Sequence, residues 1–435
     1  MSRVLSADWV VPVDAPPIRN GAVAVENGLV ASVGSAAELG AGERFPDAVI
    51  VPGFVNAHSH LEYAVYTGFG DGLPFAPWIG LHIVRKNELG LDDMEAIARA
   101  GAVECLRSGI TTVADGSYSG AAATACAELG LRAVVYIEVF GAGTEQITTR
   151  FQAHRDRILP ALSDRVKLGI SPHSVYSASP ELWAAAGELG VPMMTHFAES
   201  EAEVEWVRHR TGPFAELLEA QPVNSIRLLA EQDLLGPRLI AAHAVHLDAE
   251  EQELLARNDV AVAHCPRSNA LLGCGIAPLA ELRDAGIRIG LGTDSPASAP
   301  SFDLFDELRA AVALARARER ETDALTAAEA LELATLGSAR ALGLDDEIGS
   351  LAPGKRADLA ILSMADSPHL PWEVPEVAVV LGGTPERVVL TMVDGEVRYR
   401  KGDFEWHEQL CRKAASARKR MLDAGPAAVA VAARR

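Results

Sequence analysis

The chain has 435 residues, 49% of them hydrophobic, and a formal charge of −20. That length allows a large buried core and more than one structural unit, while the acidic balance argues against nucleic acid or acidic membrane surfaces as partners. Five cysteines, odd in number and without C-x-x-C spacing, read as reduced thiols of a cytoplasmic protein rather than a disulfide frame.

The N-terminal stretch MSRVLSADWVVPVDAPP carries acids and prolines where a signal peptide needs an unbroken apolar run. No uncharged stretch of about 18 apolar residues follows, so no membrane span is expected. Residues 1–52 read as strands and hairpins, with Asn27-Gly28 between two alternating segments as a tight-turn signal. From 53 to 345 strands alternate with helices such as DDMEAIARAGAVECLRSG and SPELWAAAGELG, the pattern of parallel β/α architecture. Eight strands are expected near 50–57, 110–115, 132–140, 166–172, 192–197, 238–243, 259–264 and 287–293, which suits one (β/α)8 TIM barrel with insertions. Thr326 and Glu329 then open a helix at capping-box spacing. Residues 346–402 turn β-rich again, with Asp394-Gly395 as a second hairpin signal, and are expected to pair with 1–52 as a small β-sandwich. A helix and a mobile end are expected over 403–435.

Chemistry-bearing residues fall at the ends of those strands. His58 and His60 stand in PGFVNAHSHLE, His196 in VPMMTHFAES, His243 in LIAAHAVHLD and Asp294 in IRIGLGTDS. An H-x-H pair alone is weak, although alternate residues of an extended segment do point the same way. Four matching strand ends are stronger, because a parallel barrel gathers such ends on one face. Three imidazoles and a carboxylate there would hold one divalent metal with a position left for water.

Glu199, just before the acidic helix ESEAEVEWV, reads as a general acid/base over that water; the competing account is a helix N-terminal acid, which Glu201 and Glu203 fit better. His243 is open between a ligand and a group that hydrogen-bonds the water and developing oxyanion. Asp294 is a candidate both as ligand and as acceptor of the water proton. Lys167 lies near the start of its strand, where it cannot bridge a second metal, which favours a single ion. His173 at that strand's end is free to touch substrate. With Trp78 and the 265–275 loop it is expected to form the pocket, although a core role suits Trp78 equally. His82, His154, His209, His369 and His407 receive no role.

Together these residues resemble the amidohydrolase superfamily over nearly the whole chain, including the closing phrase GSLAPGKRADLAIL. HFAES, AHAVHLD, HCPRSNALLG and GTDS are similar to its single-metal deaminase and chlorohydrolase branch. The resemblance implies zinc (iron in some relatives) on His58, His60, His196 and Asp294, Glu199 as proton shuttle and His243 orienting the attacking water. It implies hydrolytic deamination of a 6-aminopurine by metal-bound hydroxide with release of ammonia, and a homodimer. HSHLEY, VVYIEVFGAG and HFAESEAEVEWVRHRTGPF are similar to aminodeoxyfutalosine deaminases of the futalosine route to menaquinone. Relatives acting on S-adenosylhomocysteine or methylthioadenosine carry a ribose-binding glutamate where this chain has Ala76, so Glu62 is the candidate replacement. The benzoate of aminodeoxyfutalosine calls for a cation, with Arg85, Arg150 and Arg267 as candidates. Guanine deaminase, triazine chlorohydrolase and a non-catalytic scaffold on the same fold are the alternatives.

Overall fold

The protein is described by a computed structural model over residues 2–40, 42–215, 217–218, 223–403 and 407–423. Its first five strands are β1 (Ser2–Val10), β2 (Ile18–Arg19), β3 (Gly21–Glu26), β4 (Leu29–Ser35) and β5 (Glu43–Pro52). The next eight are β6 (Phe54–Ser59), β7 (Ile110–Ser117), β8 (Arg132–Val139), β9 (Val166–Pro172), β10 (Met193–Phe197), β11 (Leu239–His243), β12 (Ala261–His264) and β13 (Ile289–Leu291). Three more follow: β14 (Leu359–Ser363), β15 (Val388–Val393) and β16 (Glu396–Arg400).

Strands β6 to β13 pair in sequence order and in parallel, with helices in the connections. The last strand returns to the first. Asn56 Nδ2 donates to Thr293 Oγ1 at 2.7 Å, the Thr293 amide donates to Asn56 Oδ1 at 3.0 Å, and the Asp294 amide donates to the His58 carbonyl at 3.0 Å. The result is a nearly closed TIM barrel, as the β/α alternation predicted.

The remaining strands, from both chain ends, form one sheet in the order β16-β15-β14-β5-β1-β3-β4, with β2 beside β1. Its pairs are antiparallel except β1 with β5. Both turn signals close hairpins: Asn27 and Gly28 join Glu26 to Leu29, and Asp394 and Gly395 join Val393 to Glu396, all four residues at positive φ. The run expected as one strand over 50–57 divides at Pro52-Gly53 between this sheet and the barrel. It reads as unbroken because both halves are covered on both faces. In β5, Ala48 and Ile50 join the sheet's own core with Leu5, Val23 and Met392, while Val49 and Val51 pack with Phe54 and Leu106 in the barrel's outer core. Period-two alternation therefore puts alternate residues into two different cores.

The helix Leu91–Arg107 opens on Asp92 and Asp93 and buries Met94, Ile97, Ala98, Ala102, Cys105 and Leu106 at helical spacing. A C-terminal helix, His407–Asp423, lays Ala414 and Ala417 against Ile97, and Met421 against Tyr66 and Leu81. The expected mobile end beyond it lies outside the described residues. Among the described residues no helix is long and apolar enough to cross a membrane.

At the barrel end opposite the site, buried Arg132 of β8 donates to Asp358 (Nε to Oδ2, 3.1 Å) and also pairs with Asp394, which Arg165 meets at 2.7 Å. This network ties barrel to sheet. Arg132→Met should leave Asp358 as a buried charge without its cation, costing about 3 kcal/mol. Urea unfolding followed by circular dichroism would read the loss, and an unchanged midpoint would refute it.

Candidate metal centre and active site

The strand ends converge as the barrel closes. His58 lies near the end of β6 and His60 just after it, His196 lies in β10, His243 ends β11, and Asp294 follows β13. All five are buried. His243, Ala244 and Asp294 sit at positive φ (74, 51 and 55°), a conformation that costs a non-glycine residue energy and persists where surrounding contacts hold it.

Each ligand candidate is held from behind. His60 Nδ1 lies 2.7 Å from the Gly116 carbonyl, His196 Nδ1 lies 2.6 Å from the His173 carbonyl, and His243 Nδ1 lies 2.9 Å from Asn269 Oδ1. A carbonyl only accepts, so these Nδ1 atoms carry the proton and each Nε2 presents a lone pair. His58 Nδ1 faces the sulfur of Met194 at 3.1 Å. Gly116 has a steric reason too: a Cβ there would stand 2.7 Å from the His60 ring. Asp294 Oδ2 accepts the hydroxyls of Ser268 (2.7 Å) and Ser298 (2.6 Å), which turns Oδ1 toward the histidines.

The inward atoms fit one small cation. Asp294 Oδ1 is 3.5 Å from His58 Nε2 and 3.6 Å from His60 Nε2, and His60 Nε2 is 3.4 Å from His196 Nε2. Ligands at about 2.0–2.1 Å around a tetrahedral ion stand about 3.4 Å apart. The buried Nε2 atoms of His58 and His243 have no hydrogen-bond partner, and an uncompensated buried polar atom is costly unless something coordinates it. Burial lowers the pKa of His58 and His196 and brings His243 down to about 4. They are then neutral, the form that ligates metal. Burial would raise Asp294, but the facing His58 ring at 3.5 Å and the other surrounding histidines hold it well below the usual carboxylate range.

Glu199 Oε2 stands 3.7 Å from His243 Nε2. Burial, then the charges of Asp294 and Glu203, push its carboxyl well above the usual range. Glu203, which sequence reasoning left as a helix acid, accepts the amides of Ala198 (2.9 Å) and Glu199 (2.7 Å) and so fixes the turn that aims Glu199. Lys167 meets Glu347 at 3.1 Å at the start of β9, far from the histidines.

A cavity of about 380 Å³ opens over this cluster, with Glu199, Trp78 and His173 among its walls. His173 holds its ring 4.6 Å from that of His196 and 4.9 Å from Phe140. Four expectations are corrected. Glu62 does not line the cavity: Ser117, the Ser119 amide (2.9 Å) and hydroxyl (3.0 Å) and the Ala121 amide (3.0 Å) occupy its buried carboxylate, which caps the helix Ala121–Leu129. The 265–275 segment works behind the ligands, through Ser268 and Asn269, rather than as a wall. None of the three arginines lines the cavity. Arg85 donates to the Met421 carbonyl, Arg150 to the Glu138 and Tyr118 carbonyls, and Arg267 to Glu307 and Ser301. His82, given no role, does line it, as do Lys86 and Glu138. The helix Phe75–Lys86 carries Trp78, His82 and Lys86 at four-residue spacing, a signal the sequence held but that pointed equally to a core face.

Residues 49–398 match the family model described as the amidohydrolase family. The chain belongs to that family. A 5'-deoxyadenosine deaminase of Methanothermobacter thermautotrophicus is 34% identical over 91% of this chain and 93% of its own length. A 5-methylthioadenosine/S-adenosylhomocysteine deaminase of Moorella thermoacetica is 33% identical over 93% of this chain and 96% of its own. The crystal structure of a Xanthomonas campestris adenosine deaminase with bound zinc superposes with a TM-score of 0.85, at 27% identity, over 97% and 98% of the two chains.

His60→Ala is expected to remove the divalent metal from the purified protein, as read by elemental analysis. Ser298→Ala keeps every ligand but frees one lone pair of Asp294, and should weaken metal affinity about tenfold in a chelator competition. Unchanged affinity in both variants would refute the assignment of the centre.

Proposed function

We propose that this protein is a hydrolytic deaminase of an adenosine-type nucleoside, replacing the 6-amino group of the purine by oxygen and releasing ammonia. The observation that carries the reading is Glu199: a buried carboxyl with a raised proton affinity, facing an aromatic cavity beside four converging imidazoles and an ionised Asp294. The names of the two curated relatives described above point to the same class of substrate.

His58, His60, His196 and Asp294 would hold one divalent cation, with zinc our choice, and His243 would stand beside it. When bound, the cation supplies Lewis acidity, which brings the pKa of a water from 15.7 to about 7. Glu199 takes a proton from the attacking water and delivers it to the ring nitrogen beside the amino-bearing carbon, making that carbon more electrophilic. His243 Nε2 and the ionised Asp294 carboxylate, both acceptors, would take hydrogen bonds from the attacking water and hold it in line as the carbon becomes tetrahedral. Glu199 then relays the proton of the new hydroxyl to the amine, and ammonia leaves. Trp78 and His173 would bracket the substrate's rings.

Within this class we favour 6-amino-6-deoxyfutalosine, hence a place in menaquinone biosynthesis. Ala76 in place of the ribose-binding glutamate and the similarity of HSHLEY and VVYIEVFGAG support it. With Glu62 withdrawn, Glu138 is the cavity carboxylate left to meet ribose hydroxyls.

Ammonia release from 5'-deoxyadenosine, methylthioadenosine and 6-amino-6-deoxyfutalosine tests both levels, and no release from any of them would refute the reading. Glu199→Gln should keep its metal yet lose at least about 10³-fold in kcat. The shuttle must be ionised to take the water's proton, and its pKa is raised. The acid limb of kcat/KM therefore lies above the ordinary carboxylate range, with activity lost as pH falls through it. A limb near the ordinary value would count against Glu199.

A further inference from the structure

One cationic side chain in the cavity has no counterpart in the chemistry above. Lys86 ends the helix Phe75–Lys86 and is half-buried; its ammonium sits 3.7 Å above the Tyr118 ring and 5.5 Å from Phe140. Arg150 rests on the same two rings, at 4.1 and 5.3 Å. Its Nε and Nη2 donate to main-chain carbonyls, which leaves its charge uncancelled. Glu138 is the neighbouring acid, and the contact within ion-pair reach that it makes is with His60, at 3.8 Å. Among the described residues no carboxylate lies within 4.0 Å of the Lys86 ammonium. Glu138 and the helix-capping Glu62 lie near enough to be felt, but neither pairs directly with the Lys86 ammonium, which stays open to a ligand. An ammonium drawn partly out of water and seated on aromatic faces is poised for an anion that brings its own desolvation.

Two aromatic rings stand between the Lys86 ammonium and the metal centre. From His196 the rings step to His173 at 4.6 Å and Phe140 at 4.9 Å before Lys86 is reached. Along the helix, Trp78 and Lys86 are eight residues, about 12 Å, apart on one face. A nucleoside whose amino-bearing ring lies at Glu199 would send its 5' substituent toward this wall. Isoleucines 79 and 83 and leucines 217 and 218 make other walls apolar, so the charge at Lys86 is localised rather than one of many.

We infer that Lys86 is a specificity-determining residue which binds a carboxylate carried on the 5' substituent of the substrate. The inference rests on the nucleoside-deaminase reading and adds that neutral 5' groups are the poorer substrates. It also accounts for why none of the three arginines picked out of the sequence reaches the cavity: the cation comes from the helix that carries Trp78.

The test uses the metal-loaded full-length protein and an isosteric pair of probes, 5'-S-(3-carboxybenzyl)-5'-thioadenosine and its uncharged carboxamide, with 5'-deoxyadenosine as a substrate lacking the group. The wild type should show a KM for the acid about tenfold below that for the carboxamide. Lys86→Met should bring the two values together, and Lys86→Glu should reverse their order, an outcome that misfolding cannot produce. Equal KM values in the wild type, or a preference for the acid that survives in Lys86→Met, would overturn the inference. If neither probe releases ammonia, and 5'-deoxyadenosine, methylthioadenosine and 6-amino-6-deoxyfutalosine do not either, the deaminase reading fails instead. Calorimetric binding of the same pair to wild type and Lys86→Met then still decides the role of Lys86, because it does not depend on turnover.

Discussion

The site depends on acceptors placed behind the ligands. A histidine offers a metal its lone pair only if the other ring nitrogen keeps the proton, and three carbonyl oxygens impose that on His60, His196 and His243. Two of those acceptors, the Gly116 and His173 carbonyls, belong to strand ends next to the ligand's own strand. Parallel pairing therefore does more than bring ligands close. It supplies the oxygens that choose their tautomers. The serines on Asp294 Oδ2 do the same for the carboxylate.

Electrostatics then separate the two acids. Asp294 and Glu199 are both buried, yet the surrounding imidazoles keep one ionised while desolvation and like charge raise the proton affinity of the other. Neighbouring carboxyls pushed in opposite directions can divide the work of holding oxygen and moving protons. Glu203 belongs to this division twice, by fixing the Glu199 turn through two amides and by adding a negative charge behind it.

The small sheet has a mechanical part. Arg132, Asp358 and Asp394 clamp it to the barrel end away from the chemistry, while β5 shares its alternate side chains between two cores. The strained His243–Ala244 turn is thus carried by a barrel covered at the far end, with the cavity face left to the connecting segments.

The amino-acid sequence by itself determined the architecture and which strand-end residues meet at the candidate site. Eight apolar, partly β-branched runs spaced by helical patterns admit little besides a parallel barrel, and polar residues ending such runs must meet on one face, so His58, His60, His196, His243 and Asp294 were legible. Turn chemistry made both hairpins legible as well. Only the tertiary structure decided what surrounds that centre. Glu62 looked available because nothing local announces the serine hydroxyls and amides, at a strand end and the helix start after it, that take its oxygens from 55 residues or more away. Lys86 and Glu203 looked like ordinary helix charges because helical spacing records which face a residue occupies, not what packs against it. Strand ends are gathered by a repeating backbone rule that the sequence writes out, whereas cavity walls depend on non-local side-chain packing, for which one chain carries no periodic signal.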